Sequence, residues 1–157
     1  AGMEGLAVRG LTQTIQELAK NGKPILGICL GAQLLMSEGY EFGQCAGLDL
    51  IPGKVIKFEK LSEKIPHIGW NKITAPPRKL WKNTLFSSIK ERSHVYFVHS
   101  YFLKPAKPAQ ILAYTHYGGV KFCSAIQQGR IYGTQFHPEK SGPVGLQIIN
   151  NFINLIK

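Results

Sequence analysis

The stretch Pro24-Ile25-Leu26-Gly27-Ile28-Cys29-Leu30-Gly31 decides the fold. Its first five residues are apolar apart from one glycine, the composition of a short strand buried on both faces. Before it, Leu6, Val8, Leu11, Ile15, Leu18 and Ala19 recur near helical spacing. Residues 4–20 are therefore expected to form a helix, stopped by Asn21-Gly22. After it, Gly31–Met36 reads as the start of another helix. Helix, strand and helix within about 35 residues is the alternation of an α/β protein with a parallel sheet.

Further out the texture changes. Gly47, Pro52-Gly53, Pro66 and Gly69 punctuate strands expected at Lys54–Phe58 and Trp70–Thr74. The basic run Arg78 to Lys82 reads as loop, and Val95-Tyr96-Phe97-Val98 as a strand. Ile111–Tyr117 and Phe122–Gln127 are spaced to pair as a hairpin around Gly118-Gly119. Ile131–Phe136 is the next strand. Pro143 opens a last helix whose Val144, Leu146, Ile148, Ile149, Phe152, Ile153 and Ile156 cover a broad apolar face.

At 157 residues, 44% hydrophobic and 18% charged, the chain is expected to form a single domain over residues 1–157, neither disordered nor fibrous. No signal peptide is legible in Ala1 to Gly10, and the longest apolar stretch, Pro24 to Met36, is too short to span a bilayer. Cys29, Cys45 and Cys123 form no C-x-x-C pair and are odd in number, which argues against a disulfide framework or a structural zinc and fits a reducing cytoplasm. The net charge of +10 attracts polyanions in general.

Gly27-Ile28-Cys29-Leu30-Gly31 lies where the strand turns into the helix, the geometry of a nucleophile elbow with cysteine in the position that serine takes in G-x-S-x-G. The flanking glycines remove side chains that would collide or block approach. Backbone N–H groups at the helix start can lower the thiol pKa and receive a developing oxyanion. The structural alternative is a small buried cysteine beside glycines. Gln135-Phe136-His137-Pro138-Glu139-Lys140-Ser141 follows a strand and precedes the last helix, so His137 falls at a strand end, where open α/β sheets place their sites. Extended residues two apart share a side, so Glu139 can orient the His137 ring. Cysteine, histidine and carboxylate together are an activated nucleophile, its base and the orienter of that base.

Gly27-Ile28-Cys29-Leu30-Gly31-Ala32-Gln33 with His137-Pro138-Glu139 resembles the class I (triad) glutamine amidotransferases. Pro66-His67-Ile68-Gly69-Trp70-Asn71, Phe97-Val98-His99-Ser100-Tyr101, Gly47–Val55 and the segment around His137 are similar, within that group, to the glutaminase subunits of imidazole glycerol phosphate synthase. The resemblance implies an open, mainly parallel, flavodoxin-like three-layer α/β sheet with an antiparallel extension. It implies a glutaminase without cofactor or metal: Cys29 as nucleophile, His137 as acid and base, Glu139 as orienter and the Leu30 N–H as oxyanion donor. Gln33, Glu41 and the backbone of Ser100 and Tyr101 would contact L-glutamine. The ammonia would pass to a (β/α)8-barrel cyclase subunit in a cytoplasmic heterodimer that makes imidazole glycerol phosphate and an aminoimidazole carboxamide ribotide in histidine biosynthesis. Trp70, Asn71 and Lys140 would lie at that interface. No contact with nucleic acid or membrane is implied.

The members of this family carry further N-terminal βα units and a Pro-Gly-x-Gly loop that supplies a second oxyanion donor. No such loop precedes Cys29, so the chain reads as lacking that part, and the isolated 157-residue chain is expected to be weakly active or inactive. Other readings stay open, a stand-alone cysteine hydrolase of flavodoxin-like fold and a catalytically dead scaffold among them. A paralogous subunit that supplies ammonia for surface-polysaccharide sugars would keep the same residues. A basic nucleic-acid-binding module would use the positive charge and interleaved residues such as Lys79-Leu80-Trp81-Lys82. The charge itself is better explained by a surface facing an acidic partner subunit.

Overall fold

The computed structural model describes residues 2–41, 43–59, 61–78 and 81–156. In chain order the elements are α1 (Gly2–Val8), α2 (Leu11–Lys20), β1 (Ile25–Ile28), α3 (Leu30–Leu34), β2 (Met36–Gly39), β3 (Cys45–Ala46), β4 (Ile51–Lys57), β5 (His67–Lys72), β6 (His94–His99), β7 (Tyr101–Pro105), β8 (Ile111–Tyr117), β9 (Val120–Gln128), β10 (Ile131–Thr134) and α4 (Gly142–Ile156). Short 3₁₀ turns stand at Pro108–Gln110 and Pro138–Lys140.

The main sheet runs β1, β10, β9, β7, β4, β2, β3, with β8 also paired to β9, while β5 and β6 form a separate two-stranded ribbon. Parallel pairing occurs between β1 and β10 and between β2 and β4; the remaining ladders are antiparallel. The antiparallel share is larger than the sequence suggests. Its causes are local: the hairpin at Gly118-Gly119, both at positive φ, and the return of β7 along β4 after only one residue separates it from β6.

Strand alternation, interrupted in β9 where its register against β8 shifts, sorts side chains onto two faces, and each face has its own cluster. Leu26, Phe122, Ala125 and Tyr132 point to one side, where Ile73, Val95 and Phe97 of the ribbon region and Val144, Ile148 and Phe152 of α4 cover them. Ile25, Cys123, Ile126 and Ile131 point to the other, where they meet Met3, Leu6, Ile15 and Ala19 of α1 and α2. This is the three-layer arrangement expected when a sheet is apolar on both faces.

Differences from the expected elements have identifiable causes. The helix over residues 4–20 breaks in two because Gly10 takes φ 65°. It stops where expected, with Gly22 at φ 72°. The helix after Cys29 ends at Leu34. Met36 and its neighbours become strand because β4 captures them in parallel register, burying Met36 against Ile51, Val55 and Leu103. The strand near Trp70 begins earlier and ends at Lys72. In the basic run, Lys79 and Leu80 lie outside the described residues. Trp81 is buried in the core with its indole N–H donated to the Leu112 carbonyl at 2.8 Å, so its ring offers no stacking platform for nucleic-acid bases.

Candidate active site

The parallel pairing of β1 with β10, ending at Ile28 opposite Thr134, brings the two chemical segments together. The Cys29 N–H donates to the Thr134 carbonyl at 2.7 Å, placing the cysteine one step beyond the strand end beside Gln135. Cys29 stands at φ 50° and ψ −107°, a strained conformation for a residue with a side chain. Gly27 permits the elbow by proximity: a Cβ there would meet the Ala32 nitrogen and Gly31 backbone at 2.7 Å. Gly31 is different, since a Cβ there would enter open space, so packing does not require it.

The Cys29 thiol is half-buried and rests 3.9 Å from the Val98 carbonyl, while the Gln135 amide approaches the sulfur at 3.8 Å. Burial raises its pKa above the usual thiol value. The Leu30 N–H, which bonds the sulfur, opposes that rise, and the negative charges of Glu139 and Glu41 add to it. The expectation of a lowered thiol pKa is therefore reversed: desolvation outweighs the backbone donor. The same facts place Leu30 as a donor at the sulfur and bring Glu139 and Glu41 into its field.

His137 follows two residues beyond Gln135 and is held by a bridge to Tyr96, with its N–H donated to the Tyr96 carbonyl at 2.9 Å. Its ring Nδ1 contacts Glu139 Oε1 at 2.6 Å. Glu139 reaches the ring from the 3₁₀ turn Pro138–Lys140, not from an extended segment as the spacing suggested. Gly145 lets α4 close onto this turn, since a Cβ at that position would run into the Pro138 carbonyl.

Gln33 and Glu41 line one cleft of about 540 Å³ together with Leu30, Tyr40 and Cys45. Gln33 Nε2 donates to the Tyr101 carbonyl (3.3 Å) and to Gln135 Oε1 (3.2 Å), and the Tyr101 hydroxyl donates to the Glu41 carbonyl at 3.4 Å. The Ser100 carbonyl instead accepts from Phe58 N–H within the sheet. Trp70 is exposed on β5, Lys140 is exposed beside His137, and Asn71 is half-buried, donating to the His116 carbonyl at 2.8 Å. Gln135, fully buried and touching both Cys29 and Gln33, has no role assigned from the sequence. A glutamine placed one residue past a strand end, opposite the elbow, is the signal that would have found it.

The profile of the family "Glutamine amidotransferase class-I" matches residues 2–155. The chain belongs to that family. Among similar proteins, the imidazole glycerol phosphate synthase subunit HisH of Chlorobaculum tepidum is 45% identical over 150 residues, covering 96% of this chain and 73% of that protein. Its counterpart from Carboxydothermus hydrogenoformans is 46% identical over 154 residues, covering 98% and 74%. A crystal structure of a glutamine amidotransferase matches 96% of the chain and 70% of its own at TM-score 0.67 and 15% identity. A glutamine amidotransferase from Thermotoga maritima matches 94% and 54% at TM-score 0.60 and 22% identity. The class I amidotransferase is thus a glutamine-using enzyme with the α/β fold of its family. Among its described residues no helix is long and apolar enough to cross a membrane.

Proposed function

We propose that this class I amidotransferase is the glutaminase subunit of an imidazole glycerol phosphate synthase, with Cys29, His137 and Glu139 as its catalytic triad. The observation that carries the reading is the strained Cys29 elbow, with the Leu30 N–H at its sulfur, at the end of a strand paired with the one that leads to His137, whose ring Glu139 holds. The identity to HisH subunits over nearly the whole chain supports the pathway.

In the mechanism His137 takes the Cys29 proton as the sulfur attacks the side-chain amide carbon of glutamine. The tetrahedral oxyanion that forms is met by the Leu30 N–H. The intermediate collapses as His137 returns the proton to the leaving nitrogen, releasing ammonia and leaving a γ-glutamyl thioester on Cys29. Water, deprotonated by His137, then attacks the thioester, giving glutamate and the free thiol. Glu139 fixes the ring so that Nε2 faces the reaction and stabilises the imidazolium. Gln33 and Glu41 contact the bound glutamine from the cleft, with the Tyr101 carbonyl behind Gln33.

The partner is a (β/α)8-barrel cyclase docked on the outer face of the β5 and β6 ribbon. There Ile68 and Trp70 are 58% and 57% exposed. The Trp70 ring stands 3.9 Å from where a Cβ on Gly142 would lie, two residues beyond Lys140, so this apolar face adjoins the turn that carries His137. Glutamate release by Cys29→Ala and by the parent chain, each with the cyclase present, tests the assignment. The alanine variant is expected to lose at least about 10³-fold in turnover, and equal rates would end it.

A further inference from the structure

His67 and His99 are buried, at 2% and 5% exposure, and the chemistry assigned to Cys29, His137 and Glu139 does not use them. They lie among Phe58, Phe97, Tyr117 and Phe122, with His67 stacked on Tyr117 at 3.9 Å between ring centres. His99 Nδ1 is 2.7 Å from the Tyr101 carbonyl, and His99 Nε2 is 3.0 Å from His67 Nδ1. Asn71 Nδ2 is 3.3 Å from His67 Nε2.

The direction of every bond in this series follows from its ends. A carbonyl only accepts, so His99 carries its proton on Nδ1 and presents a bare Nε2 to its neighbour. His67 must then donate from Nδ1, which leaves its Nε2 to accept from the Asn71 amide. Both rings are neutral, the form that burial favours. At the far end the Tyr101 carbonyl also accepts from Gln33, whose second amide proton goes to Gln135, and Gln135 in turn touches Cys29. With both amide protons committed, Gln33 meets a ligand through its carbonyl oxygen, an acceptor for an ammonium or amide N–H. Stability alone gives little reason for such a pair. An apolar pair of similar volume would fill the aromatic pocket without desolvating polar groups.

We propose that His67 and His99 are positioning residues for glutamine, holding the Tyr101 carbonyl and through it the Gln33 amide in the orientation that receives the substrate. This rests on the reading of Gln33 as a glutamine contact.

The test uses the chain in complex with its cyclase partner, measuring KM for glutamine, kcat and the rate of Cys29 alkylation by iodoacetamide. His99→Leu removes the donor to Tyr101 and is expected to raise KM about tenfold while kcat and alkylation stay within about threefold. His99→Asn carries an amide donor where Nδ1 stood and is expected to return KM to within about threefold of the parent. In the double variant with Gln33→Ala the two effects are expected not to add, because they act through one contact. If leucine is not tolerated in the fold, His99→Asn against His99→Gln carries the test. Both are polar, but only asparagine keeps a donor toward Tyr101, so a raised KM in glutamine alone supports the relay and equal KM values overturn it. A raised KM in Gln33→Ala with an unchanged one in a folded His99→Leu overturns the relay alone. An unchanged KM in Gln33→Ala overturns both the Gln33 contact and the relay, while leaving the Cys29 assignment standing.

Discussion

At Cys29 two demands conflict. A nucleophile at neutral pH wants a low pKa, yet burial and the charges of Glu139 and Glu41 push this thiol up. The proposed chemistry reconciles them if His137 removes the proton only as the sulfur attacks. Glu139 then acts on the two steps in opposite directions. Its charge disfavours the free thiolate, while its bond to His137 Nδ1 supports proton transfer. Glu139→Gln is accordingly expected to speed alkylation of Cys29 by iodoacetamide at pH 7 and to slow glutamine turnover by about 10²-fold or more. A Cys45→Ser background isolates the signal, since Cys45 is the other thiol with exposure. Slowing of both rates would show that Glu139 does not raise the thiol pKa. At this scale the elbow at Cys29 and the contact of Glu139 with His137 were legible because both are tied to a strand end and a turn. Gln135 was missed although its place one residue past a strand end marks it. His67 and His99 were not legible, because nothing in a linear sequence distinguishes a buried hydrogen-bonding histidine inside a strand from a solvated one.

At the scale of elements, the apolar run of β1, the Gly118-Gly119 hairpin and the final helix were readable from period and turn residues. The break at Gly10 and the short α3 were not. A glycine in a helical pattern is compatible with continuation, and only the capture of Met36 by β4 decides that the chain leaves the helix there. The 3₁₀ turn at Pro138–Lys140 depends equally on tertiary contact, because α4 packs against it at a point where Gly145 leaves no room for a side chain. Gly145→Ala places one there. The added methyl would strike the Pro138 carbonyl, so the turn must move or α4 must back away. The expected cost is about 1–3 kcal/mol in urea unfolding, with turnover falling more than KM because His137 and Glu139 ride on the turn. A variant with normal turnover would show that the turn holds its position without this contact.

For the whole molecule, two neutral histidines in one core make stability depend on pH. Burial lowers the pKa of His99 from 6.5 to about 3 and that of His67 from 6.5 to about 4. In the unfolded chain both rings take up a proton near pH 6.5, whereas the folded chain resists until far lower. Between these values the unfolded state binds more protons, so stability rises with pH through the window. The contribution of the neutral rings is complete above pH 6.5 and is lost progressively as the pH falls toward 3. At pH 5 the His99 share amounts to about 2 kcal/mol, from a separation of about 1.5 pH units below the unfolded pKa at 1.36 kcal/mol each. Urea unfolding of the parent is therefore expected to show a marked drop in midpoint between pH 7 and pH 5. His99→Leu, which has no proton to gain there, is expected to show a drop smaller by about 2 kcal/mol, whatever its stability at pH 7. The same pH dependence in both chains would mean that His99 is protonated in the folded state well above pH 3, and the bare Nε2 that the relay requires would then be absent at pH 5.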